Sequence, residues 1–214
     1  MTGPSSSHTA GACKIGQFAR AIFHGTPSKI SFYLHGSFAE VYQGHGTDRA
    51  LLAGTMKLWT SDPRIKDAFA IAEKKKFKYS FTTVDLGPEY HPNSVRIVLE
   101  NKNRKVSIIG SSVGGGEVAI VRINHVPVQI NAQAGRFFSL MIGHDNKKNI
   151  LNPLFKKLQQ WQYPVAWKET TALKGNAITL LGIEDFSLRL PQVLELEKFP
   201  GIQFVRSLTK LMKV

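Results

Sequence analysis

The sequence predicts an α+β fold in two parts, a mixed α/β region over residues 1–130 and a βαββαβ ferredoxin-like unit over residues 131–214. Three observations predict it. Ile15, Phe18, Ala19, Ile22 and Phe23 recur at the i, i+3, i+4, i+7, i+8 spacing of an amphipathic helix. Val95, Ile97 and Leu99 alternate with Arg96, Val98 and Glu100, the period of a strand with one well-buried face. After the small, polar stretch 130–135, strand-like and helix-like runs follow in the order βαββαβ.

Taken in chain order, Gly3-Pro4 breaks the chain before the first helix, and a Ser or Thr is expected to cap it. Residues 30–34 read as a short strand. Residues 48–58 read as a helix with Ala50, Leu51 and Gly54 on one face. Asp62-Pro63 starts the next helix, because proline suits a first helical turn, and the amphipathic run continues to about Lys76. Strands are predicted over 79–86, 94–100, 105–110 and 117–123, with a hairpin turn at 101–104. In the second part, 136–142 is a strand, 150–161 a helix, 165–172 and 177–183 strands around the turn 174–176, 187–196 a helix and 202–208 the last strand.

Composition narrows the function. No window approaches the 18 apolar residues of a membrane span, and the polar, glycine-rich start has no signal-peptide core, so a cytoplasmic location is expected. Cys13 is the single cysteine, which excludes an internal disulfide, a cysteine-based zinc site and a self-sufficient iron–sulfur cluster; its helical register makes it a packed residue rather than a nucleophile. The net charge of +13 raises nucleic acid as a partner. The surplus is nevertheless spread evenly, seven in residues 1–130 and six in residues 131–214, and the one run, Lys74-Lys75-Lys76-Phe77-Lys78, suits a helix end. No nucleic-acid partner is expected.

The residues able to carry chemistry lie in the first part. Gly3-Pro4-Ser5-Ser6-Ser7-His8-Thr9 gathers hydroxyls and an imidazole where a helix begins. Free backbone N–H groups and the positive end of the helix dipole make that place fit for a small anion such as a carboxylate. A serine-rich capping loop is the plainer reading. Three further histidines stand beside glycine or proline: His35 in Leu34-His35-Gly36-Ser37, His45 in Gly44-His45-Gly46-Thr47-Asp48, and His91 in His91-Pro92-Asn93. His45 precedes a helix cap, where a neutral imidazole serves as a general base or a hydrogen-bonding group; a structural turn is the alternative for each of the three. Their spacing matches no metal-ligand pattern, and no metal site is expected. The run Gly110-Ser111-Ser112-Val113-Gly114-Gly115-Gly116 joins two strands and reads as an anion nest or as an ordinary flexible hairpin.

Residues 3–9, 33–40, 44–51, 91–97 and 110–116 together resemble the β-chain of the bacterial iron–sulfur L-serine dehydratases, most specifically through Gly-Pro-Ser-Ser-Ser-His-Thr and His-Gly-Thr-Asp. The resemblance covers about residues 1–130 in consistent order. It implies deamination of L-serine to pyruvate and ammonia, in amino-acid metabolism and gluconeogenesis, by a complex of two chains that is inactive without the α-chain. It implies a [4Fe–4S] cluster on that partner α-chain, an open iron of which is the Lewis acid at the substrate hydroxyl. On this resemblance His8 is the base or proton relay, His45 its companion, and Ser5, Ser6, Ser7, Thr9 and Thr47 hold the substrate. The family's β-chain ends in an ACT domain, a βαββαβ regulatory module, so residues 131–214 are expected to be ACT-like and to serve homodimerisation.

Two departures carry expectations of their own. Only Met1 and Thr2 precede the motif, where the family usually has a further segment, so either a shortened start or an incomplete gene is expected. His144-Asp145-Asn146-Lys147-Lys148 replaces the family-style Asp-x-Pro-Gly turn, so dimerisation or packing is expected of this domain rather than effector binding at that turn. A non-catalytic amino-acid sensor is the competing function, because the same domain type resembles the serine-binding domain of some phosphoglycerate dehydrogenases.

Overall fold

A computed structural model describes residues 7–131, 137–184 and 188–207. The chain divides into two units, residues 1–124 with 129–132 and residues 125–128 with 133–214. The expected boundary at 130–135 lies partly outside the described residues.

In the first unit the helical periodicity of the sequence becomes α1 (Ala12–Phe23), whose Ile15, Phe18, Ala19 and Ile22 are buried. The unit continues with β1 (Lys29–Leu34), α2 (Ser37–Val41), α3 (Thr47–Thr55), a 3-10 turn (Pro63–Asp67), α4 (Ala68–Lys74), β2 (Lys78–Thr83), β3 (Ser94–Glu100), β4 (Lys105–Gly114) and β5 (Glu117–Ile123). With β6 (Val126–Asn131) the strands form one sheet in the order β2-β1-β3-β4-β5-β6. β1 and β2 are parallel, which requires the helical crossover between them, and β1, β3, β4 and β5 are antiparallel neighbours. Val95, Ile97 and Leu99 are fully buried, as their alternation predicts, and α1 lies against β3, β4 and β5.

α1 and α3 meet through glycine. A Cβ on Gly16 would overlap the Leu51 carbonyl oxygen, and one on Gly54 the Cys13 carbonyl oxygen. The packing is sealed by Gln17, whose Nε2 donates to Leu58 O at 2.7 Å. Cys13 is buried beside it, its thiol contacting the same carbonyl at 3.6 Å, and burial with the nearby Asp62 charge pushes its pKa up to about 12.

Several boundaries differ from the sequence reading. The helix expected from Asp62 opens as the 3-10 turn, capped where Asp62 Oδ1 accepts from Arg64 N–H at 2.9 Å. The strand expected to stop at residue 110 runs on to Gly114, so Ser111 and Ser112 belong to β4 rather than to a loop. α2 and β6 were not expected at all.

The second unit runs β7 (Phe137–Asp145), α5 (Asn152–Gln160), β8 (Val165–Leu173), β9 (Asn176–Glu184), α6 (Leu190–Leu196) and β10 (Ile202–Ser207). Its sheet order, β10-β7-β9-β8 with antiparallel neighbours, is that of a ferredoxin-like fold. Leu140, Ile142, Leu154, Leu158, Leu181 and Val205 form the centre of its core. β8 is an open edge along which most side chains are exposed, Trp167 and Leu173 among them. Among the described residues, no helix is long and apolar enough to cross a membrane.

Candidate functional site

The site begins where α1 begins, and not as capping rules predict. Ser7–Gly11 forms a π-helical turn that runs straight into α1. Gly11 stands at the N-cap position in right-handed helical conformation (φ −60°, ψ −46°), and no side chain caps the helix. The expected Ser or Thr cap is therefore absent. The chain stays helical through the residues that would have folded back, and a π turn widens the ring that backbone hydrogen bonds close. The turn rests on β4, where a Cβ on Gly11 would overlap the Ser112 hydroxyl. Ser5 and Ser6 lie outside the described residues.

His8, on this turn, is half-buried. Its Nε2 lies 3.3 Å from Ser37 Oγ, and its ring meets Phe38 edge-on at 5.4 Å between centroids. Gly36 places this pair: its φ of 56° admits glycine, and a Cβ there would stand 2.6 Å from Pro92 O. The ring of His45 lies 5.1 Å from that of His8, tilted by 38°. His45 is exposed and precedes Gly46, whose left-handed conformation (φ 68°, ψ 22°) starts α3 at Thr47. Burial, and then the charge of His45, holds the His8 pKa below its ordinary 6.5. At neutral pH His8 is thus an unprotonated imidazole, able to take a proton.

Around this pair, hydroxyls are left over. Thr9 Oγ1, Thr47 Oγ1 and Ser112 Oγ are buried without a hydrogen-bond partner. They come from the π turn, the start of α3 and β4, and the π turn packs on both of the others. Among the described residues of this unit, the other buried side-chain nitrogens and oxygens without partners are guanidinium nitrogens of Arg20, Arg96 and Arg122. Next to Thr47, burial raises the pKa of Asp48, although its Oδ1 accepts from Arg49 N–H at 2.7 Å.

The structure thus separates the three histidines that stand beside glycine or proline. His35 Nδ1 accepts from Leu86 N–H at 3.1 Å, and His91 Nδ1 accepts from Asn93 N–H at 3.0 Å; both hold turns. His8 and His45 come together. Ser37 and Ser112 were not singled out for the site: Ser37 stood only within a matched segment, and Ser112 within the run 110–116 read as an anion nest or a flexible hairpin. Cys13, the one cysteine, is buried, and its raised pKa keeps the thiol protonated. Among the described residues no group of three His, Cys, Asp or Glu side chains is placed to hold a metal ion.

The family profile described as "Serine dehydratase beta chain" matches residues 1–122, more than half of the chain. The chain belongs to this family. A relative named "L-serine dehydratase, beta chain" from Peptoniphilus asaccharolyticus is 39% identical over 185 residues, covering 86% of this chain and 82% of the relative. One named "Probable L-serine dehydratase, beta chain" from Bacillus subtilis (strain 168) is 34% identical over 203 residues, covering 94% and 90%. A solved ACT domain from the GTP pyrophosphokinase of Chlorobium tepidum aligns with 33% of this chain and 95% of its own, at 16% identity and a TM-score of 0.28. The ferredoxin-like assignment of the second unit stands on its strand order. The π turn with His8, the His45 loop and Ser112 all lie within the residues that the family profile covers.

Proposed function

We propose that this chain is the β-subunit of a cytoplasmic L-serine dehydratase, deaminating L-serine to pyruvate and ammonia only when joined to an α-chain. The observation that carries the reading is the His8–His45 pair set among buried hydroxyls that lack partners, inside the region matched to the family. Elimination of water from serine needs a base at the α-carbon and groups that fix the carboxylate. His8, held neutral, is the base or relay; His45, exposed beside it, passes the proton on; Ser7, Thr9 and Thr47, with Ser5 and Ser6, hold the carboxylate. On this reading the [4Fe–4S] cluster belongs to the α-chain and would supply a Lewis acid for the substrate hydroxyl.

The test is co-purification with an α-chain and assay of pyruvate and ammonia from L-serine. His8→Ala is expected to lower turnover at least 100-fold while leaving assembly intact. A near-normal rate in an intact complex overturns the role of His8.

The second unit is proposed to be an ACT-like domain that pairs two copies along β8. The open edge, with unpaired backbone groups and the exposed Trp167, supports this. Sedimentation should show two β-chains per particle, and Trp167→Lys should reduce them to one. A particle that never holds two β-chains would sink it.

A further inference from the structure

We infer that Ser112 is a further substrate-binding residue, its hydroxyl completing the carboxylate site with Thr9 and Thr47; this rests on the dehydratase-subunit reading above. β4 supplies its own control. Ser111, one residue earlier, faces the opposite side of the sheet, and its hydroxyl is satisfied: it pairs with Ser94 Oγ at 2.7 Å, and Ser94 in turn donates to His91 O at 2.5 Å. Ser112 faces the π turn. Its side chain is fully buried, its amide donates to Asn93 O at 2.9 Å, and its hydroxyl has no partner.

Packing does not explain that hydroxyl. The contact with Gly11 is already so close that no Cβ fits there, and alanine would fill the position with less crowding and no unsatisfied oxygen. A buried hydroxyl without a partner costs free energy, and three around one turn suggest a group that arrives later. The chemistry of that group follows from its surroundings. A carboxylate accepts from several O–H donors at once, and the positive end of the helix that opens with the π turn favours an anion over a cation. The carboxylate of the amino-acid substrate fits both conditions.

The experiment compares the α-chain complex of wild type with that of Ser112→Ala, reading KM and kcat for L-serine and the thermal midpoint. The expected result is a KM raised roughly 10-fold or more, the change borne by KM rather than kcat, with a midpoint unchanged or higher. An unchanged KM overturns the inference, and so does a lowered midpoint, which would mark Ser112 as a packing residue. A wild-type complex that forms no pyruvate overturns the dehydratase-subunit reading itself, and the inference with it.

Discussion

Each unit sets a histidine beside hydroxyls, and the two arrangements are opposites. In the second unit His144 is almost fully buried on β7, with Nδ1 2.7 Å from Asp145 O and Nε2 2.8 Å from Thr179 Oγ1. A carbonyl only accepts, so Nδ1 donates; in the neutral ring Nε2 then accepts from Thr179, whose oxygen takes a further hydrogen bond from Thr170 at 2.7 Å. Each hydroxyl in that chain has a partner. Around His8 in the first unit, Thr9, Thr47 and Ser112 have none. Satisfied networks fix a fold, whereas unsatisfied ones mark where the fold has been left incomplete for something else to finish.

Matched substitutions sharpen the contrast. Thr179→Val keeps the shape of the side chain but strips His144 Nε2 and Thr170 of their shared partner, and should cost about 2 kcal/mol of stability. Thr47→Val removes a hydroxyl that bonds to nothing, so the thermal midpoint should hold or rise, while KM for L-serine rises roughly 10-fold. Thermal melts of both variants, with steady-state kinetics of the α-chain complex, check the pair. Equal loss of stability at both positions would break the comparison, because Thr47 would then be as structural as Thr179.

Much of the fold was legible because it rests on local period. The alternation of 95–99 and the βαββαβ order of the second part are both observed. β6 also carries its signal, since Val126, Val128 and Ile130 alternate and are buried, but Pro127 interrupts the run. β6 is an edge strand, where proline is tolerated. The site was legible in composition and not in arrangement. Glycine or proline stands beside His35, His45 and His91 alike, and only the helix start that follows singles out His45; the pairing with His8 is a tertiary fact. The capping rule failed at the start of α1 because it weighs only the amides of the first turn. The π turn depends on Gly11 settling against Ser112, about a hundred residues further along the chain. Ser37 reaches His8 from 29 residues away, through a Gly36 loop whose need for glycine appears only once Pro92 is beside it.

The smallest expected effect is a displacement along the pH axis, and it bears on His8 alone. Its pKa is held below 6.5, first by burial and then by the charge of His45. The base form therefore persists to lower pH than for a free imidazole, and the midpoint of the acid limb of kcat/KM for L-serine should lie below 6.5. Stability has the same sign. Between the folded value and 6.5 the unfolded chain binds more protons than the folded one, so stability rises with pH across that window and is lost as pH falls through it. His45→Asn removes the second cause and leaves the first. The acid limb should then move up toward 6.5 without reaching it, whatever happens to the absolute rate. pH profiles of the wild-type and His45→Asn complexes measure this directly, and a limb that stays in place would show that the group titrating in catalysis does not feel His45, and so is not His8.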